Sequence, residues 1–165
     1  MFINTATGVA AVIESEGDLL LVVRGRNPGK GLLDLPGGFV DYHETAEAAL
    51  VRELKEELEL DLSMELSWNS DNPDSASALP LNYHRPPLDT CYIGSYPNTY
   101  LYKNVTYEVT DLFYHIVLET KPVLEAHDDV AGFVWVPRHA IPIEKMAFSS
   151  GRNIMTQYQD TLSDG

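Results

Sequence analysis

The segment TAEAALVRELKEELEL, Thr45 to Leu60, constrains the chain more than any other. It has no Gly or Pro, and its apolar residues recur at helical spacing, which predicts a helix from Ala46 to about Leu58. Thr45 is placed to cap it, and Glu47 in the first turn suits the positive end of the helix. At about 100° per residue, Leu50, Val51, Leu54 and Leu58 share an arc of roughly 100°, the stripe that packs on a sheet. Glu53, Glu56 and Glu57 fill the adjoining arc. Arg52, Lys55 and Glu59 take the remainder, facing away from the core.

Three carboxylates on one short arc are costly. Like charges three or four residues apart destabilise a helix by about 0.2–0.5 kcal/mol each, and carboxylates near the negative C-terminal end add about 0.3–1 kcal/mol. A solvated acidic face is one explanation, although lysine would have avoided both costs. Hard oxygen ligands for Mg²⁺ or Mn²⁺ are the other, because a divalent ion turns the repulsion into attraction for the site. The formal net charge of −14 sharpens the point. So acidic a chain lacks the Lys and Arg for a broad nucleic-acid or anionic-membrane surface, and a small phosphate ligand would need positive charge supplied by a metal.

At 165 residues and 44% apolar, the chain fits a single globular domain spanning 1–165. Cys91 is the sole cysteine, which excludes an intrachain disulfide and a cysteine-based zinc site; a buried structural thiol is expected. The N-terminus lacks the pattern of a signal peptide, and no apolar run approaches the roughly 20 residues of a membrane span, so cytoplasmic residence is the expectation. The sequence leaves a homodimer open.

GVAAVIES and DLLLVVR, Gly8 to Arg24, flank the turn-forming Glu16-Gly17-Asp18 and read as a hairpin buried on both faces. Leu32 to Leu35 is a short extended piece among Pro and Gly. After the helix, LSMELSW reads as a strand, and the Pro-rich segment around 68–87 as a surface insert. TCYIGSY, VTYEVTDLFYHIVLE and GFVWVP are further strands, with a bend at Pro97-Asn98. A short helix near His139 to Met146 and a longer one from Ser149 to Gln159 complete an α/β or α+β class.

Gly38, Glu44, Arg52, Glu53, Leu54, Glu56, Glu57 and Leu60 match the pattern G-x5-E-x7-R-E-U-x-E-E-x-G-U, with U aliphatic. The chain thereby resembles the Nudix hydrolases, and the likeness extends through the flanking segments. It departs at Glu59, where the pattern has Gly, and at His43, where relatives often have Gly. The first departure predicts a helix end without the usual left-handed glycine cap.

The resemblance implies the Nudix fold, an α/β/α sandwich around a mixed sheet. It also implies hydrolysis of a nucleoside diphosphate linked to another moiety, such as ADP-ribose or NADH, with Mg²⁺ or Mn²⁺ and an attacking water. Glu53, Glu56 and Glu57 would be metal ligands, joined by the backbone carbonyl of Gly37 or Gly38. Arg52 would orient Glu53, and Glu44 would support the site or bind a second ion. A nucleotide-binding regulator without turnover and a non-hydrolytic isomerase on the same fold are the alternatives.

The base that accepts the water's proton differs among relatives. Glu53 is one candidate, and the acidic loop EAHDDV offers Glu125, Asp128 and Asp129, of which Asp129 resembles an acidic position found in relatives. Tyr100, within SYPNTYLYKNVTY, has a flat face for a base or ribose, though tyrosine is also simply favoured in strands. Arg24 and Arg26 are candidate phosphate contacts because cations are scarce; exposed hairpin charges are the alternative.

Overall fold

The computed structural model describes residues 4–62 and 90–165. Its elements are β1 (Ala6–Ser15), β2 (Asp18–Arg24), β3 (Leu33–Asp34), β4 (Gly37–Phe39), α1 (Ala46–Leu58), β5 (Thr90–Tyr102), β6 (Val105–Leu118), β7 (Val130–Pro137) and α2 (Ser149–Ser163). The strands form one mixed sheet in the order β3-β2-β1-β6-β5, with β4 added to β1 and β7 to β2. β1 and β6 are parallel, from Ala6↔Val109 to Ser15↔Leu118; the other pairs are antiparallel.

Alternation along β1 and β2 divides the core between the two helices. Ala11, Ile13, Leu20 and Val22 pack with Leu50, Leu54 and Leu58 of α1, whereas Val12, Leu19 and Leu21 pack with Ile154, Met155 and Tyr158 of α2. Burial on both faces explains why these strands read as continuous apolar runs. Each fully buried leucine contributes about 1.5–3 kcal/mol. Val51, assigned to the packing stripe by its helical angle, is only half-buried and Ala49 takes the closer position. No helix among the described residues is long and apolar enough to cross a membrane.

The hairpin forms as expected, but β1 and β2 are paired only at Glu14↔Leu19 and Ser15↔Asp18. Beyond that point they part, and Pro36 to Phe39 takes the edge of β1: Ala11 N donates to the Pro36 carbonyl at 2.9 Å, and Gly8, Val9 and Ala10 stand opposite Phe39, Gly38 and Gly37. This short strand brings the glycine pair up to α1. Nothing in its composition distinguishes it from a loop.

Four other expectations are corrected. Pro97-Asn98 makes no bend; β5 runs through to a turn at Lys103-Asn104, both with positive φ. Proline is tolerated there because, among the described residues, β5 is an edge strand. Cys91 is exposed on that same edge. The helix near 139–146 shrinks to a 3₁₀ turn over Ile143–Lys145, and α2 continues to Ser163. Beyond Leu62, the strand expected at 62–68 and the insert at 68–87 lie outside the described residues.

At the start of α1, Thr45 Oγ1 accepts from Ala48 N at 3.0 Å. At its end the glycine-free sequence still makes a left-handed cap: Glu59 adopts φ 55° and donates its N–H to the Lys55 carbonyl at 3.0 Å, while Leu60 N donates to that of Leu54 at 3.2 Å. His43, the second departure from the pattern, also has positive φ, at 57°. The backbone therefore keeps both turns that glycine would relieve. Glu59→Gly is expected to raise stability by up to about 1 kcal/mol, as removal of the Cβ conflict outweighs the added chain entropy; thermal melting of the two proteins checks this.

Candidate active site

The separation of β1 from β2 opens a cleft of about 360 Å³, bordered by the glycines of β4 and the glutamates of α1. Close approach is possible because position 38 has no side chain: a Cβ there would lie 2.3 to 2.6 Å from the carboxyl atoms of Glu53. At position 37 a Cβ would meet the Val9 carbonyl oxygen at 2.0 Å. Gly37 N donates to Glu57 Oε2 at 3.0 Å, so helix and strand are tied at the cleft.

The carboxylates differ in environment. Glu57 is pushed up to about 8 by burial, reinforced by the charges of Glu53, Asp34 and Asp129 and opposed by the Gly37 N–H. Burial also raises Glu53, against the hydrogen bond and charge of Arg52. Glu56 is about half exposed and pairs with Arg52 at 3.3 Å.

Arg52 departs from its expected outward position. Helical angle alone placed it away from the core, but its guanidinium folds down to the loop before α1. Nε and an Nη reach the two oxygens of Glu44 at 2.7 and 3.0 Å, the other Nη reaches Glu53 Oε1 at 2.9 Å, and the Phe39 carbonyl accepts at 3.0 Å. The reach of the side chain and the clustered acceptors outweigh the direction of its Cα–Cβ bond. The hydrogen bonds from Arg52 hold Glu44 below the ordinary glutamate range. Glu44 thus fixes Arg52, and Arg52 fixes Glu53.

The backbone of the acidic loop completes the end of α1: Glu125 N donates to the Leu58 carbonyl and His127 N to that of Glu57, at 3.1 and 2.8 Å. Of the loop's three candidate carboxylates, Asp129 lines the cleft, paired with Arg26 at 2.6 Å. Glu125 instead faces His127 at 3.7 Å, and Asp128 occupies a left-handed turn.

Arg24 and Tyr100 meet in the cleft, Nη to Oη at 3.2 Å. Arg24 also binds Asp34 at 3.0 Å and the Pro28 carbonyl at 2.6 Å, and lies 4.8 Å over the Phe148 ring. Its donors are largely committed to the protein. Burial raises the Asp34 carboxyl to about 6, against the charge of Arg24. Arg26 is half exposed and stacks 5.3 Å over Tyr102.

Five further cleft residues, Asp34, Asn98, Asp111, Phe148 and Ser150, escaped sequence reasoning. For Asp111 a signal existed: alternation along VTDLF puts it on the same strand face as the apolar Val109 and Phe113.

The donor set suits a hard divalent cation, being carboxylates and peptide oxygens around a buried, mutually repelling pair. Glu53 and Glu56 accept hydrogen bonds from Arg52, and Glu57 accepts one from Gly37 N. Among the described residues, the set whose ligand atoms all lie within 4.8 Å of one another is Glu59, Glu125 and His127, on the surface at the end of α1.

Comparison with known proteins gives the fold and the family. An ADP-ribose pyrophosphatase of Methanocaldococcus jannaschii is 47% identical over 57 residues, 34% of this chain and 34% of its own. The chain thus matches about a third of that relative's length. A bifunctional NMN adenylyltransferase/ADP ribose pyrophosphatase of Francisella tularensis, complexed with AMP and a Mn ion, superposes with a TM-score of 0.64 at 22% identity, over 96% of this chain and 42% of that one. The NUDIX domain of Shewanella oneidensis NrtR, complexed with ADP ribose, gives 0.65 at 18% identity, over 98% and 90%. These two likenesses establish the fold. With the sequence model of the NUDIX domain matched over residues 4–158, the chain belongs to the NUDIX domain family.

Proposed function

We propose that the chain is a metal-dependent pyrophosphohydrolase that splits the diphosphate of a nucleoside diphosphate linked to another moiety, with ADP-ribose or a close relative as substrate. The observation that carries this reading is the meeting of Glu53 and Glu57 with Gly37 and Gly38 in a cleft, with Arg52 clamped between Glu44 and Glu53. Glu53, Glu56 and Glu57, with a carbonyl of Gly37 or Gly38, would hold Mg²⁺ or Mn²⁺. When bound, the ion supplies the positive charge that an anionic diphosphate needs in an acidic cleft.

The chain's own groups do the rest. Glu44 and Arg52 keep the Glu53 carboxylate in one rotamer. A water attacks phosphorus, the bridging P–O bond breaks, and the water's proton passes to a carboxylate, with Glu53 and Asp129 the two candidates in the cleft. Arg26, freed from Asp129, is placed to meet a phosphate oxygen, whereas Arg24 shapes the cleft through Asp34 and Tyr100.

The test is a panel of ADP-ribose, NADH, dinucleoside polyphosphates, nucleotide sugars and nucleoside triphosphates, each with Mg²⁺, Mn²⁺ or EDTA. AMP and ribose 5-phosphate are expected from ADP-ribose with metal, and none with EDTA. Nucleotide binding without cleavage of any member would make the chain a binding module instead.

A further inference from the structure

Away from the glutamates of α1, the cleft has a second polar region with different chemistry. Asp111, on β6, directs one carboxyl oxygen at the Ser150 hydroxyl of α2, which donates to Oδ2 at 2.7 Å, and it accepts a further hydrogen bond from the Asn98 side chain of β5. Its other oxygen, Oδ1, fills the space over Gly8 on the neighbouring strand, where a Cβ would stand 2.2 Å away. All four residues line the cleft. A missing side chain on β1 thus makes room for a carboxyl on the cleft wall, as the missing side chain at Gly38 does for Glu53.

The charge of Asp111 bears on Asp34 and that of Asp34 on Glu57, and all three line the one cleft. The Asp111 region is unsuited to phosphate. It contributes a carboxyl, and Arg24, the nearby cation, is committed to Asp34, Pro28 and Tyr100. Among the described residues it is also a poor divalent-ion site, since beside the Asp111 carboxylate it offers the neutral oxygens of Asn98 and Ser150, and the Ser150 hydroxyl already donates to Asp111. What fits is a neutral group that donates hydrogen bonds. Beside it, Tyr100 and Phe148 stand 5.5 Å apart, with ring planes inclined at 39°, as apolar surfaces for a flat ring. Burial raises the pKa of Asp111, as expected of a polar group that water solvates poorly.

We propose that Asp111 is a specificity-determining residue that reads the nucleobase, its Oδ1 accepting a hydrogen bond from the exocyclic amino group of adenine while the phosphates lie toward Glu53 and Glu57. The assignment rests on the nucleotide reading above and adds to it which end of the cleft takes the base and which atom selects it. A purely structural Asp111, tying α2 to the sheet through Ser150, would leave base selectivity unchanged.

The experiment compares binding of AMP and purine riboside 5′-monophosphate, which differ only in the 6-amino group, by calorimetry on the full chain with Mg²⁺. Wild type is expected to bind AMP about 10- to 100-fold more tightly, the range for one hydrogen bond to a charged acceptor. In Asp111→Asn the Ser150 hydroxyl claims the remaining oxygen and turns the amide NH₂ toward the ligand, so the preference falls to within about twofold. Gly8→Ala keeps the carboxyl but displaces it, and loses the preference likewise. Its backbone φ is not left-handed, and the atom it meets is a side-chain end. With ADP-ribose, both variants raise KM and leave kcat nearly unchanged.

Equal affinity of wild type for the two nucleotides, or an undiminished preference in either folded variant, would overturn the assignment. Selective AMP binding by a wild-type chain that hydrolyses no diphosphate would sustain it while refuting the hydrolase reading.

Discussion

Glu57→Gln is expected to remove most of the fall in metal-free stability between pH 6 and 8 and, at the same time, to abolish most turnover. The folded protein holds Glu57 at about 8, against an ordinary value of 4.5, mainly through burial. Below pH 4.5 the carboxyl is protonated in folded and unfolded chains alike, so its ionisation costs nothing. Above that, the unfolded chain releases the proton that the folded chain still holds, and stability falls with rising pH until the folded carboxyl also ionises near 8. Asp34, raised from 3.8 to about 6, acts with the same sign over a lower window. Glu57 therefore dominates between pH 6 and 8, where roughly 2 kcal/mol is at stake.

Glutamine keeps the shape and the acceptor for Gly37 N but cannot ionise. With EDTA the variant should melt at nearly constant temperature across that interval and above wild type at pH 8. Adding Mg²⁺ should stabilise wild type strongly and the variant little, because a ligand stabilises only in proportion to its binding. Turnover should fall by at least ~100-fold, the scale for loss of one preorganised electrostatic contact. Parallel pH melts and kinetics read both effects. A variant with wild-type activity and an unchanged Mg²⁺ shift would reduce Glu57 to a buried carboxyl without function.

The second large effect is expected at Arg52. Its guanidinium bridges Glu44 and Glu53, whose side chains are 15% and 16% exposed, while its own is 29% exposed. Removing one partner of a fully buried pair costs about 3–5 kcal/mol. Partial exposure reduces that to about 1–3 kcal/mol for Arg52→Gln. Glu44 should then return toward its ordinary pKa. A depressed carboxylate stabilises the fold above its unfolded pKa and loses that contribution as pH falls through the folded value, so the variant's deficit should shrink in acid.

Activity should fall about 100-fold through kcat, because Glu53 is no longer held. Arg52→Lys restores charge without the planar fork, and should recover part of the stability but little of the turnover. Melting curves at neutral and acid pH, with kcat for both variants, provide the check. Full activity in Arg52→Lys would show that charge alone suffices.

The parts of the fold written in periodicity were legible. The stripe Leu50, Leu54 and Leu58 fixed the packed face of α1, and the apolar runs of β1 and β2 announced strands buried on both faces. What periodicity cannot carry was missed. β4 is three residues held by pairing to β1, and Arg52 is directed by acceptors in a loop eight residues earlier. The left-handed cap persisted at Glu59 without glycine because the helix end and the loop bearing His127 determine that backbone. In the site, Glu53 and Glu57 share one side of α1 as their helical spacing implied, and Gly38 stands against Glu53, while Asp34, Asp111 and Phe148 required the tertiary fold to bring β3, β6 and the start of α2 to one cleft.

Where the ion sits is tested most directly by titrating Mn²⁺ into metal-stripped protein and following the free-ion paramagnetic resonance signal. Wild type is expected to deplete free Mn²⁺ stoichiometrically. The Glu53→Gln, Glu57→Gln double variant should leave it free, and Glu125→Gln, His127→Ala should bind as wild type does. Undiminished binding by the α1 double variant, or loss of binding on changing Glu125 and His127 instead, would contradict a catalytic ion held by the α1 glutamates.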